Sequence, residues 1–226
     1  MSRSLWNMFD TTIILDACRY DYYVKYRKAE KVNAPGTITR TSIPKMFPDF
    51  YSAVYISASP EVNSIGYPTM PSYDPREHFL EVIDVWNFGW DDDLQTVHPG
   101  TVHETAEKYQ KRGDKTIVHF MQPHAPYIGE FKWAILSWYN ARARTLGQET
   151  NPTYNTPNDF EYLKKAYDAN LRLVLGYAEK CINGRTLITS DHGELLGEEI
   201  DGKRRWGHLS PSDHPKLLEV PREVID

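Results

Sequence analysis

The sequence predicts an α/β fold, a three-layer α/β/α sandwich around a mostly parallel sheet. Strand-like and helix-like patterns alternate along the chain, as the crossovers of a parallel sheet require. Two apolar runs of strand length also stop at an aspartate: Thr11-Thr12-Ile13-Ile14-Leu15 before Asp16, and Arg185-Thr186-Leu187-Ile188 before Thr189-Ser190-Asp191-His192-Gly193-Glu194.

The first strand is predicted at 11–15, where β-branched residues crowd together. A helix follows over 20–28, a second strand over 53–57 and a third over 82–86. Thr101 to Arg112 reads as a helix stopped by Gly113, because glycine tolerates the left-handed conformation that ends helices. The helix feeds a strand over 116–121 that leads to His124. A long helix over 159–180 precedes the last predicted strand, 185–188. Segments 67–73 and 151–158, rich in Pro, Tyr and Asn, read as ordered loops lining a pocket. Phe131 to Leu146, with Trp133, Trp138 and Tyr139, has helical spacing and either packs on the core or covers the site.

Ligands of open α/β sheets gather outside the carboxyl ends of the strands. Asp16, Asp191 and His192 are therefore placed to share one cation, although a strand-end Asp alone serves equally well as a helix cap. His119 alternates into its strand and reads as structural, as do His78, His98 and His103; His214 is open.

Ile14-Leu15-Asp16 with Arg19-Tyr20-Asp21, Pro123-His124-Ala125-Pro126-Tyr127, Asp191-His192-Gly193-Glu194 with Gly197-Glu198, and Gly207-His208 together resemble the alkaline phosphatase superfamily, in its sulfatase-like and phosphodiesterase-like branch. The blocks follow the family's order and span most of the chain. The resemblance implies an alkaline phosphatase-like fold and a nucleophile in Gly36-Thr37-Ile38-Thr39-Arg40-Thr41-Ser42-Ile43-Pro44, with Thr39 at its position. Thr37, Thr41 and Ser42 compete for that alignment. Thr41 and Ile43 stand where sulfatases carry Pro and Arg, and a Thr cannot mature to formylglycine. Phosphate esters are therefore expected as substrates ahead of sulfate esters.

The resemblance implies a metal-dependent hydrolase of phosphate mono- or diesters, in which Asp16, Thr39, Asp191 and His192 hold a divalent cation. The imidazole favours zinc or manganese over magnesium or calcium. His124 and His208 are expected as phosphate ligands or proton donors. Relatives with two metals use such histidines with an acid upstream of the middle one. Here Met121-Gln122-Pro123 supplies none, so one strongly held metal is expected, and a second could be bound by recruiting Asp21 or Asp213. The alternatives are a sulfatase, a transferase of the phospho group, and a non-catalytic metal- or anion-binding domain, the last suggested by the short chain. Cys18 lies beside Asp16 without a maturation pattern and is expected to pack beneath the site.

Composition sets outer bounds. The 226 residues suit one α/β domain, 1–226. A net charge of -5 argues against nucleic acid as a partner, and Lys203-Arg204-Arg205 reads as a solvated loop. A small-molecule, lipid or sugar ester is the expected partner. Two cysteines build no disulfide framework, and no signal peptide or membrane span is legible, so a cytoplasmic location is expected.

Overall fold

The computed structural model describes residues 6–66, 69–70, 72–133, 137–150 and 158–226. In chain order the elements are β1 (Thr11–Leu15), α1 (Tyr20–Tyr23), β2 (Glu30–Asn33), α2 (Thr39–Met46), β3 (Tyr51–Ser57), β4 (Phe79–Asp84), α3 (Val85–Phe88), β5 (Trp90–Asp91), β6 (Thr96–Val97) and α4 (Pro99–Lys111). The second half adds β7 (Thr116–Phe120), α5 (Ser137–Thr145), α6 (Phe160–Ala178), β8 (Thr186–Thr189), β9 (Leu195–Ile200), β10 (Lys203–Gly207), α7 (Pro215–Leu218) and β11 (Glu219–Ile225).

Seven strands form one sheet in the order β2-β11-β8-β1-β7-β3-β4. The run from β8 to β4 is parallel, while β11 lies antiparallel to both β8 and β2. β1 sits at the centre, with Ile14 opposite both His119 of β7 and Thr189 of β8. All five β1 residues are buried, because both sheet faces are covered.

Side-chain alternation divides the core. Ile13, Leu15, Val118, Phe120 and Ile188 join α4 and α6 through Val102, Ala106, Leu163 and Leu171, whereas Ile14, Ile117 and Leu187 join Ile43 and Met46 of α2. Helices thus cover both faces of the sheet. The long helix is set by Asp159, whose carboxylate accepts from Glu161 N and Tyr162 N at 3.0 and 2.9 Å. Gly113, at φ 87°, turns the chain after α4. Among the described residues, no helix is long and apolar enough to cross a membrane.

Several expected boundaries move. The helix over 20–28 is only the four-residue α1, and the strand over 82–86 starts earlier, as β4, and yields to α3 at Val85. β8 is not the last strand: β11 returns antiparallel beside it, carrying Pro221 against Lys31 of β2. Lys203-Arg204-Arg205 belongs to β10, paired with Glu198 and Glu199 of β9. Of the loops read from composition, residues 67, 68, 71 and 151–157 lie outside the described residues. So do 134–136 of the aromatic segment and the side chain of Trp138. The rest of that segment supplies Trp133, which packs on Tyr162 at 5.8 Å, and α5, whose Thr145 hydroxyl donates to Ala141 O.

Candidate active site

The carboxyl ends of β1, β7 and β8 bring the predicted residues together. Asp16 directly follows β1, its N–H donating to Phe120 O, and Ala17 then takes a φ of 59°. A left-handed non-glycine residue costs of order 1–3 kcal/mol and is held only by its surroundings. Here the turn sends Ala17 N to Asp191 Oδ1 at 3.3 Å and Cys18 N to Ser190 Oγ at 2.8 Å. The end of β1 is thereby tied to the loop after β8, with Cys18 packed beneath, as expected.

α2 delivers the nucleophile candidate. Thr39 is the first residue of that helix, following Ile38 at the cap position, so its hydroxyl is not consumed in capping. Thr39 Oγ1 donates to Asp191 Oδ2 at 2.8 Å and lies 3.4 Å from His192 Nε2. Its competitors point elsewhere: Thr37 Oγ1 donates to Leu209 O and Thr41 Oγ1 to Ile38 O. Buried Ser42 Oγ has no hydrogen-bond partner and lies close over Gly36.

His192 Nε2 stands 3.5 Å from Asp16 Oδ1 and 3.5 Å from Asp191 Oδ2. Its Nδ1 lies 2.8 Å from Gly193 O. A carbonyl only accepts, so Nδ1 carries the proton and the lone pair of Nε2 faces the same space as the carboxylate oxygens, an arrangement that suits a cation between them. His119, read from sequence as structural, also faces the site. Its Nε2 is 3.6 Å from Asp16 Oδ2 and its Nδ1 is 2.8 Å from Tyr55 Oη. Strand alternation alone did not show that β7 places this imidazole beside the end of β1.

The donor set fits a cation. Both Asp16 oxygens and His119 Nε2 are buried without a hydrogen-bond partner. Ligand atoms of Asp16, His119 and Asp191 all lie within 4.8 Å of one another. Burial first, then repulsion from Asp191, Glu61 and Glu194, pushes the Asp16 carboxyl well above the usual range. Burial acts on Asp191 in the same sense, yet His192, His119 and the Thr39 hydroxyl hold it below its ordinary value. Burial also lowers His192, and it lowers His119 to about 4.

A second cluster adjoins the first. His208 Nδ1 is 3.3 Å from Glu194 Oε1, and His124 Nε2 is 4.0 Å from Glu194 Oε2. The His208 ring lies 5.0 Å from that of His124 and 4.8 Å from that of His192. Ligand atoms of His124, Glu194 and His208 fall within 4.8 Å of one another. The acidic member expected from Asp21 or Asp213 is therefore Glu194, two residues after His192. Asp21 is engaged instead by Arg19 and Lys216. The signal was present in Asp191-His192-Gly193-Glu194, but only the turn of that loop shows that Glu194 reaches the middle histidine. Burial lowers His124 to about 4. Burial also acts to lower His208, but the adjacent Glu194 carboxylate raises it on balance. The His208 side chain is 26% exposed and those of His124 and Glu194 are 6% and 3%, which puts His208 at the mouth.

The remaining histidines are structural. His98 and His214 accept from Gly100 N and Lys216 N at the starts of α4 and α7, His78 stacks on Tyr73, and His103 Nδ1 meets Cys181 Sγ.

No family model matches the sequence. A curated relative, the low-salt glycan biosynthesis sulfotransferase Agl7 of Haloferax volcanii, is 25% identical over 94% of this chain and 53% of its own length. The chain thus spans about half of that relative. Among solved structures, the soluble domain of lipooligosaccharide phosphoethanolamine transferase A from Neisseria meningitidis matches with a TM-score of 0.57 and 16% identity, over 94% of this chain and 74% of that one. A structure described as a putative sulfatase from Bacteroides thetaiotaomicron matches with a TM-score of 0.53 and 10% identity, over 96% and 63%. In fold, the chain is similar to these phosphoethanolamine transferase and sulfatase structures, an alkaline phosphatase-like α/β arrangement around a mostly parallel seven-stranded sheet.

Proposed function

We propose that this chain is a metal-dependent enzyme that cleaves phosphate esters through Thr39. One observation carries the reading: the Thr39 hydroxyl, at the first turn of α2, is aimed at Asp191 and His192, beside a buried Asp16 carboxylate that lacks hydrogen-bond partners. Cations such as zinc or manganese, held by Asp16, Thr39, Asp191 and His192 and by His124, Glu194 and His208, would lower the Thr39 pKa and offset charge on the departing oxygen.

The protein groups complete the reaction. Asp191 Oδ2 already accepts the Thr39 proton in a hydrogen bond, which aligns the hydroxyl oxygen for attack. As the Thr39 O–P bond forms, the hydroxyl proton passes to Asp191, the ester O–P bond breaks, and the departing alkoxide takes a proton at the mouth, where His208 meets solvent. Water, or a second alcohol in a transfer reaction, then attacks phosphorus, giving up a proton as the Thr39 oxygen is released and takes one back from Asp191. Amide groups opening α2 face an anion favourably.

The sulfotransferase relative favours a second reading, in which the same threonine carries a sulfuryl group to an alcohol. Aryl phosphate and aryl sulfate with one leaving group separate the two. We expect faster turnover of the phosphate and, after acid quenching, a modified peptide containing Thr39; Thr39→Ala loses both. Faster sulfate turnover with sulfated Thr39 establishes the second reading. Wild-type turnover by Thr39→Ala overturns both.

A further inference from the structure

We infer that Arg19 is the positioning residue of the His124, Glu194 and His208 cluster, fixing Glu194 through its main chain. The inference rests on the proposed binding of a cation by that cluster.

Arg19 is 4% exposed, and its guanidinium makes four hydrogen bonds. Nε and Nη2 donate to the two oxygens of Asp21 at 2.9 and 2.7 Å. Nη1 donates to Glu198 Oε1 at 2.7 Å and to the Glu194 carbonyl at 3.2 Å. Glu198 Oε2 in turn accepts from Leu196 N, so the start of β9 is held just after Glu194. On its other flank, Asp21 accepts from Lys216 Nζ at 2.7 Å, and Gly193 N donates to Leu217 O at 2.8 Å. A planar fork with several fixed donors can span these acceptors; an ammonium acts as a point charge and cannot.

The two halves of the loop are anchored separately. Asp191 and His192 are held by Ala17 N and by Ser190 Oγ, which reaches the Leu15 and His192 carbonyls at 2.6 and 2.7 Å. Glu194 is tied through Arg19. Weakening Arg19 should therefore loosen the second cluster and leave the first in place, a split that a general loss of folding would not produce.

The test is zinc titration of the metal-free protein by calorimetry, with His208→Ala identifying the equivalent bound by the second cluster. For Arg19→Lys we expect that equivalent to weaken about 10- to 100-fold while the other stays within about threefold, the range seen when outer hydrogen-bond partners of metal ligands are removed. If Arg19→Lys does not fold, Glu198→Gln, which leaves the Arg19 pair with Asp21 intact, should show the same selectivity, with about a 10-fold loss at that equivalent and the other again within about threefold. Equal weakening of both equivalents, or no change in either, overturns the inference and leaves the two-cluster reading standing. A wild-type protein whose zinc binding His208→Ala does not alter overturns that reading and the inference with it.

Discussion

At the residue scale, roles divide by what each side chain touches. Thr39→Ser keeps the hydroxyl on the first turn of α2 and should retain turnover, whereas Thr39→Ala should lose at least about 100-fold in kcat, since its oxygen is the attacking atom. Steady-state kinetics on one aryl phosphate checks both. Asp21 makes a different prediction. Partial burial acts to raise its carboxyl, but hydrogen bonds from Arg19 and Lys216 prevail and lower it from 3.8 to about 2. A carboxyl depressed in the folded state contributes stability above its unfolded pKa and loses it as pH falls through the folded one. Asp21→Asn should therefore be less stable than wild type at pH 6, and the gap should close as pH drops from about 4 to about 2. Urea melts across that range measure it; a constant gap would contradict the ion-pair account.

At the element scale, Gly193 marks where α7 presses on the site loop. A methyl at this position would lie 2.0 Å from the Lys216 carbonyl oxygen. Because that neighbour is backbone, Gly193→Ala must displace either α7 or the segment bearing Glu194. We expect a loss of about 1–3 kcal/mol, typical of overpacking, together with weaker metal binding. Urea denaturation and zinc titration read the two effects. The start of α6 offers a contrast: Asp159→Ala removes a cap accepting two backbone N–H groups and should cost about 1 kcal/mol while leaving kcat unchanged. Loss of activity in that variant would show that the first turn of α6, and not only Tyr167 and Asn170 further along it, supports the site.

At the scale of the whole molecule, the sheet gathers buried carboxylates at the carboxyl ends of its central strands. The buried Asp16 carboxyl is raised by burial and by its acidic neighbours. A group raised in the folded state contributes stability at low pH and loses it as pH climbs through the folded value. The metal-free protein should therefore lose stability with rising pH at this group, while cation affinity grows because fewer protons must be displaced. We expect a chelator to lower Tm, and zinc at about 100 times its Kd to add about 2.7 kcal/mol. The zinc-dependent gain should be larger at pH 8 than at pH 5. Thermal melts with and without zinc at both pH values test the sign.

The sequence by itself determined the elements that are locally self-sufficient. β1 matches its predicted span because a β-branched run buried on both faces allows little else, and α4 and α6 follow from capping residues and apolar spacing. Asp16, Asp191 and His192 were legible because each directly follows such a strand. Tertiary structure decided the rest. β2 is a mostly exposed edge strand and β11 carries a proline, so neither announces itself without the neighbour it pairs with. Four hydroxyls competed in the α2 segment until the packing of that helix turned Thr39 toward Asp191. His119 and Glu194 joined the site only when parallel pairing set β7 beside β1 and the loop after β8 folded back. Local propensity and periodicity are written in neighbouring residues, whereas convergence of ligands from positions 16, 119 and 194 depends on sheet order, which no short stretch of sequence encodes.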